Sequence, residues 1–309
     1  ELTNDLSMVR GSHTWTVGTH NEFFKFRNLF IQNLYGNYDF ASLDAFAAGI
    51  AQGYSHGFSL TNDPRFAAQF KAYQLGAYAG DLWRVTPRLS LTYGVRWDRS
   101  VFPDKPTANP AAVSNYGFAT NVIPTPQVWS PRVGFNWDLG GGSVRQQVRG
   151  GAGIFGGRNP YVYLSNQYGN TGIEFRRLSL PFNVANAVAF SADPNNQPKA
   201  VGNAGTNEID VIDTDYQFPQ IVRGNLAYDR SLPFGLVGNV EVLYTGTVKD
   251  VNYRNLNLVP TGARPDGRVV FGRVNPVFSD VILLTNTDKG QSWMATTELK
   301  RQFADGWFA

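Results

Sequence analysis

The chain has 309 residues and a net charge of +3, with 14% aromatic and only 17% charged residues, 32 glycines and no cysteine. The missing cysteines exclude a disulfide framework and a thiolate metal site. The basic residues do not cluster, so a nucleic-acid interface, which needs a concentrated basic face, has no support. No apolar run approaches the ~20 residues of a membrane helix, but barrel strands hide their apolar half by alternation, so a membrane stays open.

In chain order, Leu6 to Arg10 reads as the end of a strand, turned by Gly11-Ser12 into a second from Thr14 to Phe26. Leu29 to Phe40 reads as a third, and Ser42 to Ala48 as one or two helical turns capped by Ser42. A glycine-spaced strand from Gly49 to Leu60 and another from Ala67 to Trp83 follow. After the turn at Pro87, Leu89, Leu91, Tyr93, Val95 and Trp97 alternate with Arg88, Ser90, Thr92, Gly94, Arg96 and Asp98. One face is apolar and the other wet, as strand geometry requires. Trp129 to Leu139 repeats the pattern, Gly140-Gly141-Gly142 turns it, and Val144 to Gly157 runs back. Tyr216 to Arg230, Leu236 to Leu258 and Ser292 to Phe303 complete the strands, with a last turn at Ala304-Asp305-Gly306.

Tight turns near 85–87, 140–142, 232–235 and 304–306 alternate with long loops at 99–126, 158–215 and 259–290. An up-and-down meander puts every short link on one rim and every long link on the other, the asymmetry of an outer-membrane barrel. The expected fold is therefore all-β, an antiparallel transmembrane β-barrel segment. About eleven strands fit, roughly half of a 22-stranded barrel. Two unpaired edges follow. Glu1-Leu2-Thr3-Asn4-Asp5 is no signal peptide, and the chain stops abruptly at Trp307-Phe308-Ala309, so an internal piece of a longer protein is expected.

Several motifs invite chemistry. Gly53-Tyr54-Ser55-His56-Gly57 matches G-x-S-x-G, yet Gly57 to Pro64 is no helix to follow a nucleophile. Gly151-Ala152-Gly153-Ile154-Phe155-Gly156 matches G-x-G-x-x-G, and Arg158-Asn159-Pro160 ends any helix a dinucleotide would need. His13, His20 and His56 lack metal-ligand spacing, whereas Asp210, Asp213 and Asp215 could gather calcium or simply form a solvated loop. No catalytic residue, cofactor or metal is expected. Arg96, Arg132 and Arg149 project to polar faces, where they would line a lumen, docking a plug or guiding an anionic solute, or pair with Asp98 and Asp138. Tyr161, Tyr163, Asn166, Gln167, Tyr168 and Asn170 open the longest loop, and aromatic faces with amide donors suit sugar- or peptide-like ligands.

Leu82-Trp83-Arg84-Val85-Thr86-Pro87-Arg88-Leu89 through Asp98 resembles the signature of TonB-dependent outer-membrane receptors, in their Oar-like branch with a carboxypeptidase-regulatory-like domain. Ser130 to Asp138, Val148 to Phe155, Val9-Arg10-Gly11-Ser12-His13-Thr14 and the stretch from Tyr244 to Asn257 resemble further strands of that branch, in its order. Where the branch often has Q-D-D-W, this chain has Gly80-Asp81-Leu82-Trp83. The resemblance implies that residues 1–309 are a partial barrel domain, with the regulatory-like domain, plug, TonB box and C-terminal strands outside it. It implies a Gram-negative outer membrane, lipid and the TonB complex as partners, and energised uptake of a glycan, peptide or siderophore without reaction chemistry. A passive porin-like or adhesive barrel and a soluble all-β binding module are the alternatives.

Overall fold

The computed structural model describes residues 1–140, 144–157, 160–201 and 205–301. The chain opens with the hairpin β1 (Leu2–Arg10) and β2 (His13–Asn28). An excursion follows, made of β3 (Asn37–Asp39), α1 (Leu43–Ala47), β4 (Ile50–Ala51) and β5 (Gly53–Ser59). The chain then returns through β6 (Ala68–Thr86) and β7 (Leu89–Val101). Helix α2 (Pro110–Tyr116) precedes β8 (Gln127–Asp138) and β9 (Gln146–Gly156). The longest excursion carries α3 (Tyr161–Gly169), β10 (Phe175–Leu180), β11 (Val188–Ala189) and β12 (Asn207–Ile212). Strands β13 (Gln220–Ser231) and β14 (Leu236–Asn255) form the next hairpin. The chain ends in the ribbon β15 (Leu258–Ala263) and β16 (Val269–Arg273), then β17 (Phe278–Thr287) and β18 (Gln291–Arg301).

One eleven-stranded sheet dominates, in the order β1-β2-β6-β7-β8-β9-β13-β14-β17-β12, with β18 also on β14. Neighbours through β14 are antiparallel, and tight turns join β1 to β2, β6 to β7 and β13 to β14 at one end. Strands β17 and β18 lie end to end along β14, pairing with its residues 250–255 and 236–246 respectively. They make one long strand interrupted at 288–290, where the Gly290 carbonyl accepts from Thr247 N–H at 2.9 Å. Strand β12 adds parallel to β17 at the long-loop end. The sheet therefore crosses from rim to rim nine times and is open at its edges, β1 on one side and β12 and β18 on the other. The turns expected at Gly141-Gly142 and Ala304-Asp305-Gly306 lie outside the described residues.

Register carries the alternation across strands. Leu89, Leu91, Tyr93 and Trp97 stand opposite Trp137, Phe135, Val133 and Trp129 on one face. Ser90, Thr92, Gly94 and Arg96 stand opposite Asn136, Gly134, Arg132 and Ser130 on the other. The apolar face is left open, with Val133, Trp129, Leu226, Val240 and Trp293 all more than half exposed or nearly so. The polar face is knitted by its own side chains. Tyr78 lies over Gly18, where a Cβ would come within 2.5 Å of the ring, and its hydroxyl donates to Asp5.

Three expectations need correcting. Leu29 to Phe40 is mostly turn rather than strand, because Asn33 and Gly36 take positive φ (54° and 77°) and close a turn over Ile31–Gly36. The strand expected at 49–60 exists as β4 and β5, but β5 pairs with β3 and β10 instead of joining the main sheet. The long loops are folded, holding α2, α3, the β10-β5-β3 sheet and the β15–β16 ribbon. Helix α1 forms as expected, with Ser42 Oγ accepting from Ala45 N–H at 3.1 Å.

The main core sits at the long-loop end of the polar face. There the even-numbered residues turn apolar: Phe24 and Phe26 on β2 face Ala72 and Phe70 on β6. Leu164 and Tyr168 of α3, with Tyr216 and Phe218, cover them. Burying each of these side chains contributes about 1.5–3 kcal/mol. The same strand is thus wet near the tight turns and greasy under the loops, which fixes where α3 can dock.

Candidate functional site

Helix α3 lies across the mouth formed by the long loops, and the six loop residues singled out from the sequence all lie on it or at its C-terminal cap. Their surroundings differ. Tyr161 packs against Phe24 and Phe26, with ring centroids 5.3 and 5.0 Å away. Tyr163 meets Tyr253 edge-on at 5.4 Å. Gln167 is fully buried, and its Nε2 donates to the carbonyls of Thr120 (2.6 Å) and Val122 (2.8 Å). Tyr168 stacks flat on Phe70 at 4.4 Å and donates its hydroxyl to the Asp104 carbonyl at 2.7 Å. Burial pushes its phenol well above the usual range. Asn166 and Asn170 remain half-buried, and the Asn166 carbonyl accepts Asn170 N–H at 2.7 Å.

Asn170 connects the helix to β12. Its Nδ2 donates to Asp210 Oδ2 at 2.6 Å and to Glu208 Oε1 at 3.4 Å, while Arg177 pairs with the other Glu208 oxygen. Burial, reinforced by the Glu208 carboxylate and, more weakly, Asp280, pushes Asp210 up to about 7, against the Asn170 hydrogen bond and the Arg177 charge. The folded loop layer therefore holds a proton on Asp210 that the unfolded chain releases. Its contribution is complete below the ordinary carboxylate range and is lost as pH rises through about 7. His56 shifts the opposite way, lowered by burial, so its contribution is lost on acidification. Hydrogen exchange over β12 is accordingly expected to be slower at pH 5 than at pH 8 by more than about tenfold in opening constant once normalised to Asp210→Asn. Equal profiles for the two proteins would contradict this. Asp213 instead caps its own turn by accepting Asp215 N–H at 3.0 Å.

Arg96, Arg132 and Arg149 all lie on the polar face. Arg96 forms a two-pronged pair with Asp98 (2.6–3.0 Å) and stands over the Tyr78 ring. Arg149 bridges Asp229 (3.1 Å) and Glu241 (3.6 Å) on the next two strands. Arg132 stands over Phe155 at 4.6 Å. A groove of about 980 Å³ runs over this face, lined by Thr16, Tyr78, Thr92, Arg96, Ser130 and Arg132 among others.

The two catalytic look-alikes are strand segments. Ser55 sits within β5, its Oγ accepting from Asn33 Nδ2 at 2.7 Å, and the His56 ring faces the carbonyls of Pro198 and Leu34, both at 3.2 Å. Gly151 to Gly156 is part of β9, where a Cβ at Gly153 would press on Arg132 and the Pro131 carbonyl at 2.9 Å. Helix α3 starts only at Tyr161, five residues past Gly156, so the glycines lie inside a sheet strand and not at a helix N-terminus that could seat a dinucleotide.

One group was missed in the sequence. His13, Asp81 and Tyr93 meet on the apolar face, with His13 Nδ1 2.6 Å from Asp81 Oδ2 and Tyr93 Oη donating to the same oxygen at 2.9 Å. Asp81 is only 2% exposed, and its Oδ1 has no partner among the described residues. His13 stacks with both Trp15 and Trp83, each ring nearly parallel to it at 5.6 and 5.4 Å. The available signal was Asp81 itself, an acid in the row Ala77, Ala79, Asp81, Trp83.

The family model described as "Outer membrane beta barrel domain" matches residues 1–309. No curated protein sequence matches the chain. Among solved structures, the ferric enterobactin receptor PfeA of Pseudomonas aeruginosa, in its G324V mutant, is similar over 98% of this chain and 33% of its own, with TM-score 0.52 and 15% identity. The copper transporter OprC is similar over 98% of this chain and 35% of its own, with TM-score 0.49 and 12% identity. The chain thus spans about a third of the length of these proteins.

Proposed function

The chain belongs to the outer membrane beta barrel domain family, and from that premise we propose that it is wall and external loops of a TonB-dependent receptor of the Oar-like branch, energised through TonB for uptake of a small ligand. It resides in the outer membrane of a Gram-negative bacterium, its apolar face against lipid and its polar face toward the lumen, and it is not an enzyme. The observation that carries the receptor reading is the folded loop layer: the longest excursion docks α3 onto the polar face instead of leaving the mouth clear. The Leu82–Asp98 stretch supports the TonB coupling and the Oar-like branch.

In this reading the ligand meets the half-buried parts of Tyr161, Tyr163, Asn166 and Asn170, while Gln167 and Tyr168 hold their helix in place. Arg96 and Arg149 stiffen the lumen wall through their carboxylates, and Arg132 remains to meet a plug or an anionic solute. PfeA is a receptor for ferric enterobactin, so a ferric siderophore is the natural first probe, with a glycan and a peptide beside it. Uptake by cells carrying the whole receptor is expected to fall to background when TonB is deleted or the proton-motive force is collapsed. Uptake that survives both would favour a passive pore, and surface binding without uptake an adhesin.

A further inference from the structure

Arg10 and His13 are register partners across the Gly11-Ser12 turn, so both side chains leave the same apolar face, in line with Trp83 and Leu91 on the next strands. Arg10 is exposed and makes no ion pair among the described residues. The carboxylate of Asp81 only accepts, so His13 Nδ1 carries the hydrogen between them, and no described residue bonds Nε2. The ring stacks with Trp15 and Trp83 and is tethered to a buried acid. A tethered imidazole and an unpaired guanidinium therefore stand side by side on a face that meets lipid. They stand at the tight-turn rim, which in this family faces the periplasm, and indoles gather at such membrane–water boundaries.

We propose that Arg10 and His13, framed by Trp15 and Trp83 over Asp81, bind the phosphate of an anionic phospholipid of the periplasmic leaflet. In the loaded site the ring has taken up one proton from water: as an imidazolium it donates Nδ1–H to Asp81 and Nε2–H to a phosphate oxygen, while the Arg10 guanidinium takes a second oxygen. Charge complementarity favours this occupant: Asp81 balances His13, which leaves the Arg10 charge for one phosphodiester. The acyl chains then run up the open row of Val17, Val95 and Trp97, which borders a shallow apolar groove of about 680 Å³.

The test uses the whole receptor in native mass spectrometry, with phosphatidylglycerol, diacylglycerol and inorganic phosphate as separate probes. Wild type is expected to retain one phosphatidylglycerol and no diacylglycerol, with millimolar phosphate failing to displace the lipid. Arg10→Gln leaves the buried groups untouched and is expected to weaken retention roughly tenfold, the loss of one charge-assisted contact. His13→Phe, which keeps the stacking, should weaken it as much; should that variant not fold, Arg10→Gln decides alone. Equal retention by wild type and Arg10→Gln, or equal retention of diacylglycerol, would overturn the site. Displacement by inorganic phosphate would make it a free-anion site and overturn the lipid assignment.

Discussion

Val133→Arg is expected to destabilise the folded barrel in a bilayer by about 2–4 kcal/mol, the cost of a cation on the lipid face near mid-depth. Val133 lies on the apolar face midway between Trp129 and Trp137 and opposite Tyr93. The nearest polar groups on its own face, the Tyr93 hydroxyl and the Asp81 carboxylate, are already bonded to each other, and the lumen lies on the far side of the backbone. Thr92→Arg, one residue from Tyr93 but on the polar face, should change stability by no more than about 0.5 kcal/mol. Urea titration of the whole receptor in lipid vesicles reads both. Similar losses for the two variants would mean that the faces are not distinguished by their surroundings.

Tyr168→Ala should have the largest effect in the loop layer, about 3–5 kcal/mol of local stability. The ring is 5% exposed, lies flat on Phe70 and anchors α3 through the Asp104 carbonyl. Tyr168→Phe removes only that hydrogen bond and should cost about 1 kcal/mol. Since the wall does not depend on α3, the alanine variant should lose hydrogen-exchange protection over 161–169 while β7 and β8 keep theirs. Loss of protection in β7 and β8 together with α3 would show that loops and wall fold as one unit. An unchanged α3 would contradict its docking through Tyr168.

The wall was legible in the sequence because period-two alternation is a local property. Leu89–Trp97 and Trp129–Trp137 each declare two faces without reference to any other strand. The loop layer was not legible, since its strands are short and depend on distant partners: β5 finds β10 more than a hundred residues later. Gln167 shows the same limit. From sequence it is an amide donor available to a ligand; in the fold, both hydrogens of its amide are committed to the carbonyls of Thr120 and Val122. The Asp81 group was hidden for another reason. Its two partners lie 68 and 12 residues away, and only register brings them together on the wrong face for an acid.

The central claim is that alternate residues of this wall meet lipid and water. These 309 residues hold no cysteine, so single cysteines at Tyr93, Trp97, Phe135 and Trp137, and at Thr92, Arg96, Arg132 and Asn136, can be introduced into the whole receptor once any cysteine outside them is replaced by serine. Each would be treated in outer membranes with a lipid-soluble and a water-soluble thiol reagent. Labelling of the first four by the lipid-soluble reagent alone, and of the second four by the water-soluble one alone, is the expected result. Equal labelling of both sets by either reagent would contradict a wall between lipid and lumen.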